Sequence, residues 1–345
     1  MNLHRLAAPL CASLLSVTAC ASTGTTLAQG TSSHTAEAQL RAGPIARDPH
    51  AEPLTLVPPS PIAWVKLETA RARASRHWPT ITALMTNQGT MEVVRRFERE
   101  LGFDPLNASS RVVGALYRRM QSLDEIPLAA IVVINGFEPE RVRAALARDG
   151  RVVQEQAFGA RAVLSNGQYA VSFLATDVMI AFHPSLTERV LRQLSGEEPR
   201  SIEADTSFDP LWQRAGGRRP GVAQSASNET VASEFRTEDG QTLQIPSFRR
   251  VVSWVDGDDA VSIRVVAESE SAASASQFVT SVEGIRREYG GRFLVRMMGF
   301  GRLLNDGIHL STDESFVRVA IDAQGGEFQR ALQFASAGAA FSRAN

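Results

Sequence analysis

Hairpin signals constrain this chain more than any other feature. Asn166-Gly167 stands between two alternating apolar stretches, 161–165 and 168–174, and both residues tolerate the positive φ of a tight hairpin. Asp256-Gly257 opens an acidic turn between 248–255 and 260–268, and Asp239-Gly240 could turn a hairpin between 233–236 and 242–245. Strand pairs at 111–118 with 128–135, and at 307–312 with 315–322, complete the pattern. Helical spacing follows each group, over 139–148, from 187 to about 194, over 272–288 and over 327–340. Hairpins pair antiparallel, and helices between them gather on one sheet face. The expected fold class is therefore α+β, with antiparallel sheets, helices on one face, and strand–strand–helix units repeated through two similar halves.

The first half opens with a strand over 62–67 and a helix that starts at Trp78-Pro79. Met91, Val94, Phe97 and Leu101 recur at helical spacing, and Gly102 is a stop signal. Phe103-Asp104-Pro105 reads as a turn, and Phe103-Asp104-Pro105-Leu106 recurs as Phe208-Asp209-Pro210-Leu211. Ser185-Leu186-Thr187-Glu188 fits a capping box. Trp64 and Trp254 fall inside apolar strands and are expected in the core, and Trp212 anchors a short helix. Gly, Glu, Pro and Ser interrupt the periodicity at 196–207, which separates the halves at 53–200 and 201–345.

Residues 1–19 have the three parts of a secretory signal: Arg5 near the start, a mostly apolar run over 6–17, and small residues at Thr18 and Ala19. The run is too short to span a bilayer. Val17-Thr18-Ala19-Cys20 resembles the lipobox of bacterial lipoproteins, with Val17 where the family prefers leucine. The resemblance implies that Cys20 is lipidated, becomes the mature N-terminus and anchors the chain to a membrane. With Ala21 and Ser22 next, the family's sorting rule implies the outer membrane. The other reading of these residues is an ordinary cleaved signal that contains a cysteine. From 20 to 52 the chain is rich in Ser, Thr, Ala, Gly and Gln without apolar period. It reads as a disordered tether, spanning roughly 30 Å root-mean-square if fully flexible.

Cys11 and Cys20 are the two cysteines, so a mature body lipidated at Cys20 has no thiol for disulfides, nucleophilic catalysis or thiolate metal sites. A net charge of -1 provides no global field for nucleic acid. His77, His183 and His309 are far apart in sequence, and a solvated turn is the better reading of Asp256, Asp258 and Asp259 than a calcium loop. The glycines at 290–291, 299 and 301 lack the spacing and the lysine of a phosphate loop. The arginine pairs, such as Arg286-Arg287 near Glu283, read as salt-laced solvent faces. No catalytic residue, metal ligand or cofactor is indicated.

The body resembles uncharacterised envelope lipoproteins of GC-rich Gram-negative bacteria, of myxobacterial type. Val57-Pro58-Pro59-Ser60-Pro61, Leu101-Gly102-Phe103-Asp104-Pro105-Leu106 and Ile134-Asn135-Gly136-Phe137 carry the likeness, and it implies no activity. The leading expectation is a non-enzymatic binding module that takes an envelope protein or an apolar ligand through its sheet face or through 216–247. A lipid carrier is one alternative and requires an apolar cavity. A hydrolase is the other, and requires a close acidic pair, as among Asp104, Asp124 and Asp177.

Overall fold

The computed structural model describes residues 50, 52–87, 90–118, 128–158, 161–198, 202, 206–228, 233–236, 242–257, 260–290, 302–331 and 333. Strand β1 (Ala63–Leu67) leads into α1 (Thr69–Ala74), α2 (Trp78–Asn87) and α3 (Thr90–Leu101). Gly102 ends α3 at φ +80. The Phe-Asp-Pro-Leu motif is no simple turn. Asp104 accepts hydrogen bonds from the amides of Leu106 and Asn107 and caps α4 (Pro105–Ala108), with proline in its first turn. Next come β2 (Arg111–Leu116), β3 (Ala129–Ile134), α5 (Pro139–Leu146), β4 (Gln154–Phe158), β5 (Arg161–Ser165), β6 (Ala170–Ala175), β7 (Val178–Phe182) and α6 (Thr187–Ser195). The second copy of the motif opens α7 (Asp209–Arg214), and Phe208 and Leu211 are buried as Phe103 and Leu106 are. Strands β8 (Ala223–Ser227), β9 (Ser233–Arg236), β10 (Thr242–Ile245), β11 (Phe248–Asp256) and β12 (Ala260–Ser269) follow. Then come α8 (Ala272–Gly290), β13 (Ile308–Asp313), β14 (Phe316–Gln324) and helix α9 (325–331).

The described residues form two compact units. Among the described residues, 63–95 join those from 206 to 333 in unit I, while unit II contains those from 50 to 62 and from 96 to 202. The cause is long-range pairing. Strand β1 lies antiparallel to β8, Ala63 opposite Ser227 and Leu67 opposite Ala223, which takes 63–95 away from the residues that follow it.

In unit I the strands run β13-β14-β12-β11-β8-β1. Odd positions of β12 and β14, including Val261, Ile263 and Ile321, pack with Leu303, Ile308 and Phe328. Phe248, Val251, Ala267 and Val317 continue that layer against Ala275 and Phe278 of α8. Even positions hold polar pairs: Arg264 donates to Asp322 at 2.8 Å and Arg250 to Glu268 at 2.6 Å. Arg214 of α7 lies 3.9 Å over the Phe316 ring, and it and Arg318 donate to Asp313 at 2.9 and 2.6 Å. The hydrogen bonds from Arg214 and Arg318 hold the Asp313 carboxyl below its usual range. Trp64 is buried and meets Trp212 at 6.3 Å, whereas Trp254 is only partly buried and donates its indole N–H to Pro220. The expected hairpin of β9 and β10 forms a separate two-stranded sheet.

In unit II the order is β2-β3-β7-β6-β5-β4. The hairpins β2-β3 and β6-β7, separated in the chain by α5, β4 and β5, give the sub-order β2-β3-β7-β6. In unit I, two hairpins joined by α8 give β11-β12-β14-β13. One ββαββ plan is therefore uninterrupted among the described residues of unit I and carries β4 and β5 inserted after its helix in unit II, and each copy is followed by a helix. Val133, Val171, Met179 and Ala181 face Phe97 and Leu101 of α3 and Val142 and Leu146 of α5. The capping box does not form. Ser185 Oγ instead meets His183 Nδ1 at 2.8 Å, and that nitrogen accepts from the Ser185 amide, capping a 3-10 turn before α6. Burial, with Arg118 adding, keeps the His183 ring below the usual imidazole range, which suits the acceptor. Gly196 ends α6 in the left-handed conformation.

The chain enters unit II as a strap. The His50 ring is 3.4 Å from Asp177, and Glu52 caps the 3-10 turn Pro53–Leu56. Tyr117 donates its hydroxyl to Pro58 O at 2.8 Å, Arg189 donates to Pro59 O at 2.7 Å and lies over the Tyr117 ring, and Gln193 donates to Thr55 O. Burial raises the Tyr117 hydroxyl far above its ordinary value near 10, and Arg189 only partly offsets it. Above about pH 10 the unfolded chain loses this proton while the fold retains it, so stability falls as pH rises. Tyr117→Phe is expected to flatten that alkaline limb, leaving the smaller contribution of Tyr169, whose hydroxyl is also raised by burial. It is also expected to cost about 1–2 kcal/mol at neutral pH by leaving Pro58 O without its donor. Urea unfolding at neutral and alkaline pH tests both effects.

Candidate functional site

The candidate site is a cleft of about 260 Å³ in unit II, lined by Phe103, Gly136, Phe137, Glu138, Arg141 and Val142. The connection from β3 to α5 builds it. Asn135 and Gly136 both take positive φ, 62 and 78, and turn the chain sharply at the strand end. Asn135 is held at both ends: its amide donates to Asp177 O at 2.7 Å and its side-chain amide to Ser110 Oγ at 2.9 Å. Pro139 then starts α5 with a preset φ. Phe137 is delivered between Phe103 and Phe173, with ring centroids 6.0 Å away on each side. Phe97 meets Phe103 edge-on at 5.8 Å. Arg143 lies 5.7 Å over Phe173 and 3.6 Å from Glu155.

One wall of the cleft is thus the tilted pair Phe103 and Phe137, backed by Phe97 and Phe173. Glu138 and Arg141 are exposed, whereas Val142 is fully buried. The arrangement suits an apolar group with a polar or charged end, which the two rim charges can orient.

Cys20 lies outside the described residues, as do the leader, most of the tether, Asp124, Asp258, Asp259 and the glycines at 291, 299 and 301. Asp104 caps α4, and Asp177 meets His50. His77 is buried and edge-on to Phe328 at 5.3 Å, His183 caps its turn, and His309 is exposed on β13. Sequence reasoning missed the cleft. The available signal was Asn-Gly directly after an apolar strand and before a proline-led helix, a combination that forces the next side chain into a fixed direction.

No family model matches the chain, and no curated protein matches it. Among solved structures it is similar to three crystal forms of TP0453. Form III is 10% identical with a TM-score of 0.42, covering 82% of this chain and 98% of that one. Form I is 9% identical with a TM-score of 0.41, covering 83% and 97%. Form IV is 10% identical with a TM-score of 0.43, covering 82% and 96%.

Proposed function

We propose that this protein is an envelope lipoprotein, anchored in the outer membrane through acylated Cys20, whose body is a non-enzymatic binding module for another envelope protein. The observation that carries the reading is Val17-Thr18-Ala19-Cys20, directly after an apolar run of signal-core length. The cleft is compatible with a protein partner. Its volume of about 260 Å³ lies below the roughly 300–1,000 Å³ of small-molecule pockets and suits an inserted side chain. An aromatic wall with charged neighbours is also the environment in which single side chains anchor protein interfaces.

Anchoring is tested by feeding cells an alkyne fatty acid and separating membranes. The natural chain takes the label and sediments with the outer membrane. Cys20→Ala loses the label and becomes soluble; a Cys20→Ala chain that is still labelled overturns the anchor. Binding is tested by placing a photocrosslinking residue at 141. A discrete adduct with a protein is expected, and an adduct of lipid mass would transfer the reading to a carrier.

A further inference from the structure

Among the described residues, strand β4 is the outermost strand of unit II and is hydrogen-bonded to β5 alone. Gln154, Glu155, Gln156 and Ala157 are exposed, and Val152 just before them is 77% exposed. Natural edge strands are usually guarded by charged side chains, lysine above all, by proline or by a bulge. This one has no lysine or proline, its one charged side chain, Glu155, is paired with Arg143, and its register with β5 is unbroken from Gln154 opposite Ser165 to Phe158 opposite Arg161.

The direction of its free backbone groups follows from a neighbour. Ala157 stands opposite Ala162. The Ala162 carbonyl accepts from Ser172 Oγ of β6 at 3.1 Å, so it points away from β4. Directly opposed residues in an antiparallel ladder either exchange both hydrogen bonds or neither. Ala157 and Ala162 form a pair of the second kind, and the N–H and C=O of Ala157 point outward. Those of Glu155, two residues back, do the same.

We propose that a second copy of this chain adds its own β4 to this edge, antiparallel, about a two-fold axis through Gln156. Charge and strand length select that axis. Centring on Glu155 would set two carboxylates directly opposite, which is unfavourable, and centring on Ala157 would leave Gln154 and Glu155 opposite residues beyond the strand end at Phe158. Centring on Gln156 puts Glu155 of each copy opposite Ala157 of the other, and these are the residues whose backbone groups point outward. The two Gln156 amides then meet and can hydrogen-bond each other. Glu155, the one ionisable side chain of the strand, keeps Arg143 at 3.6 Å. The result is a sheet continued from copy to copy with an isologous contact.

The test is disulfide trapping in the full-length, membrane-bound protein under mild oxidation, read on non-reducing gels. Gln156→Cys puts two thiols at a close, non-bonded position and is expected to give about tenfold more linked dimer than Gln154→Cys, whose thiols lie several residues apart. The natural chain, whose mature body has no thiol once Cys20 is acylated, sets the background. Adding Ala157→Pro to Gln156→Cys removes an outward N–H without touching the β4–β5 bonds, so the link is lost while the thermal midpoint stays. Equal linking of the two cysteine variants, or a link that survives Ala157→Pro, overturns the proposal. So does a Gln156→Cys product joined to a different protein.

Discussion

Phe182→Ala is expected to destabilise the protein by about 4 kcal/mol, near the upper end for truncation of a buried side chain. Phe182 is 2% exposed at the end of β7, a strand buried along its whole length. Its cross-strand partners are Ala130 on β3 and Ala170 on β6, both fully buried. The ring therefore fills space that two methyl groups leave open. A strand pair with larger neighbours could relax into the hole left by truncation. Alanines already at their smallest cannot, so most of the cavity remains and its full cost is felt. Phe182→Leu keeps much of the volume and should cost only about 1.5 kcal/mol. Urea unfolding followed by circular dichroism measures both. A loss below about 2 kcal/mol for Phe182→Ala would show that other groups move in to close the cavity.

The hairpins were legible because their turn residues and alternating faces are local. Strands β5 and β6 meet at Leu164 opposite Val171 around Asn166-Gly167, and β11 and β12 pair around the turn at 256–257. Both strands of the smaller hairpin, β9 and β10, were legible in the same way. Strand β8 was not, because Ala-Gln-Ser-Ala-Ser has no apolar alternation. Gln224, Ser225, Ala226 and Ser227 are nonetheless all buried, and Ser225 Oγ meets Ser253 Oγ of β11 at 2.6 Å. A buried strand of small polar residues is recognised only by its partners. Strand β4 was missed for the opposite reason: it is exposed on both faces, so water imposes no pattern on it. The unit boundary depends on β1 meeting β8, a pairing between distant segments that no local signal announces. Ser185 had two partners within reach, the helix amide of a capping box and the His183 ring, and only the structure shows that the ring won.

Gly136→Ala is expected to cost about 3 kcal/mol or more through two separable effects. Gly136 has φ +78, a conformation that costs an alanine about 1–2 kcal/mol. A Cβ there would also press into the carbonyl carbon and oxygen of Ala108 and the amide nitrogen of Ser109. These are backbone atoms behind α4, which Asp104 and Pro105 hold in place, so no flexible side-chain end can swing aside. Gly167→Ala isolates the first effect. Its φ is +83, yet a Cβ there meets nothing within 4 Å, so only the conformational cost of about 1–2 kcal/mol applies. The difference between the two variants in urea unfolding is the price of the close approach. Gly136→Ala should also displace Phe137 from between Phe103 and Phe173 and abolish the photocrosslink from position 141, while Gly167→Ala leaves it. Equal destabilisation by the two substitutions would mean that the Ala108 backbone yields at little cost, and that the left-handed turn alone makes glycine necessary beside the cleft.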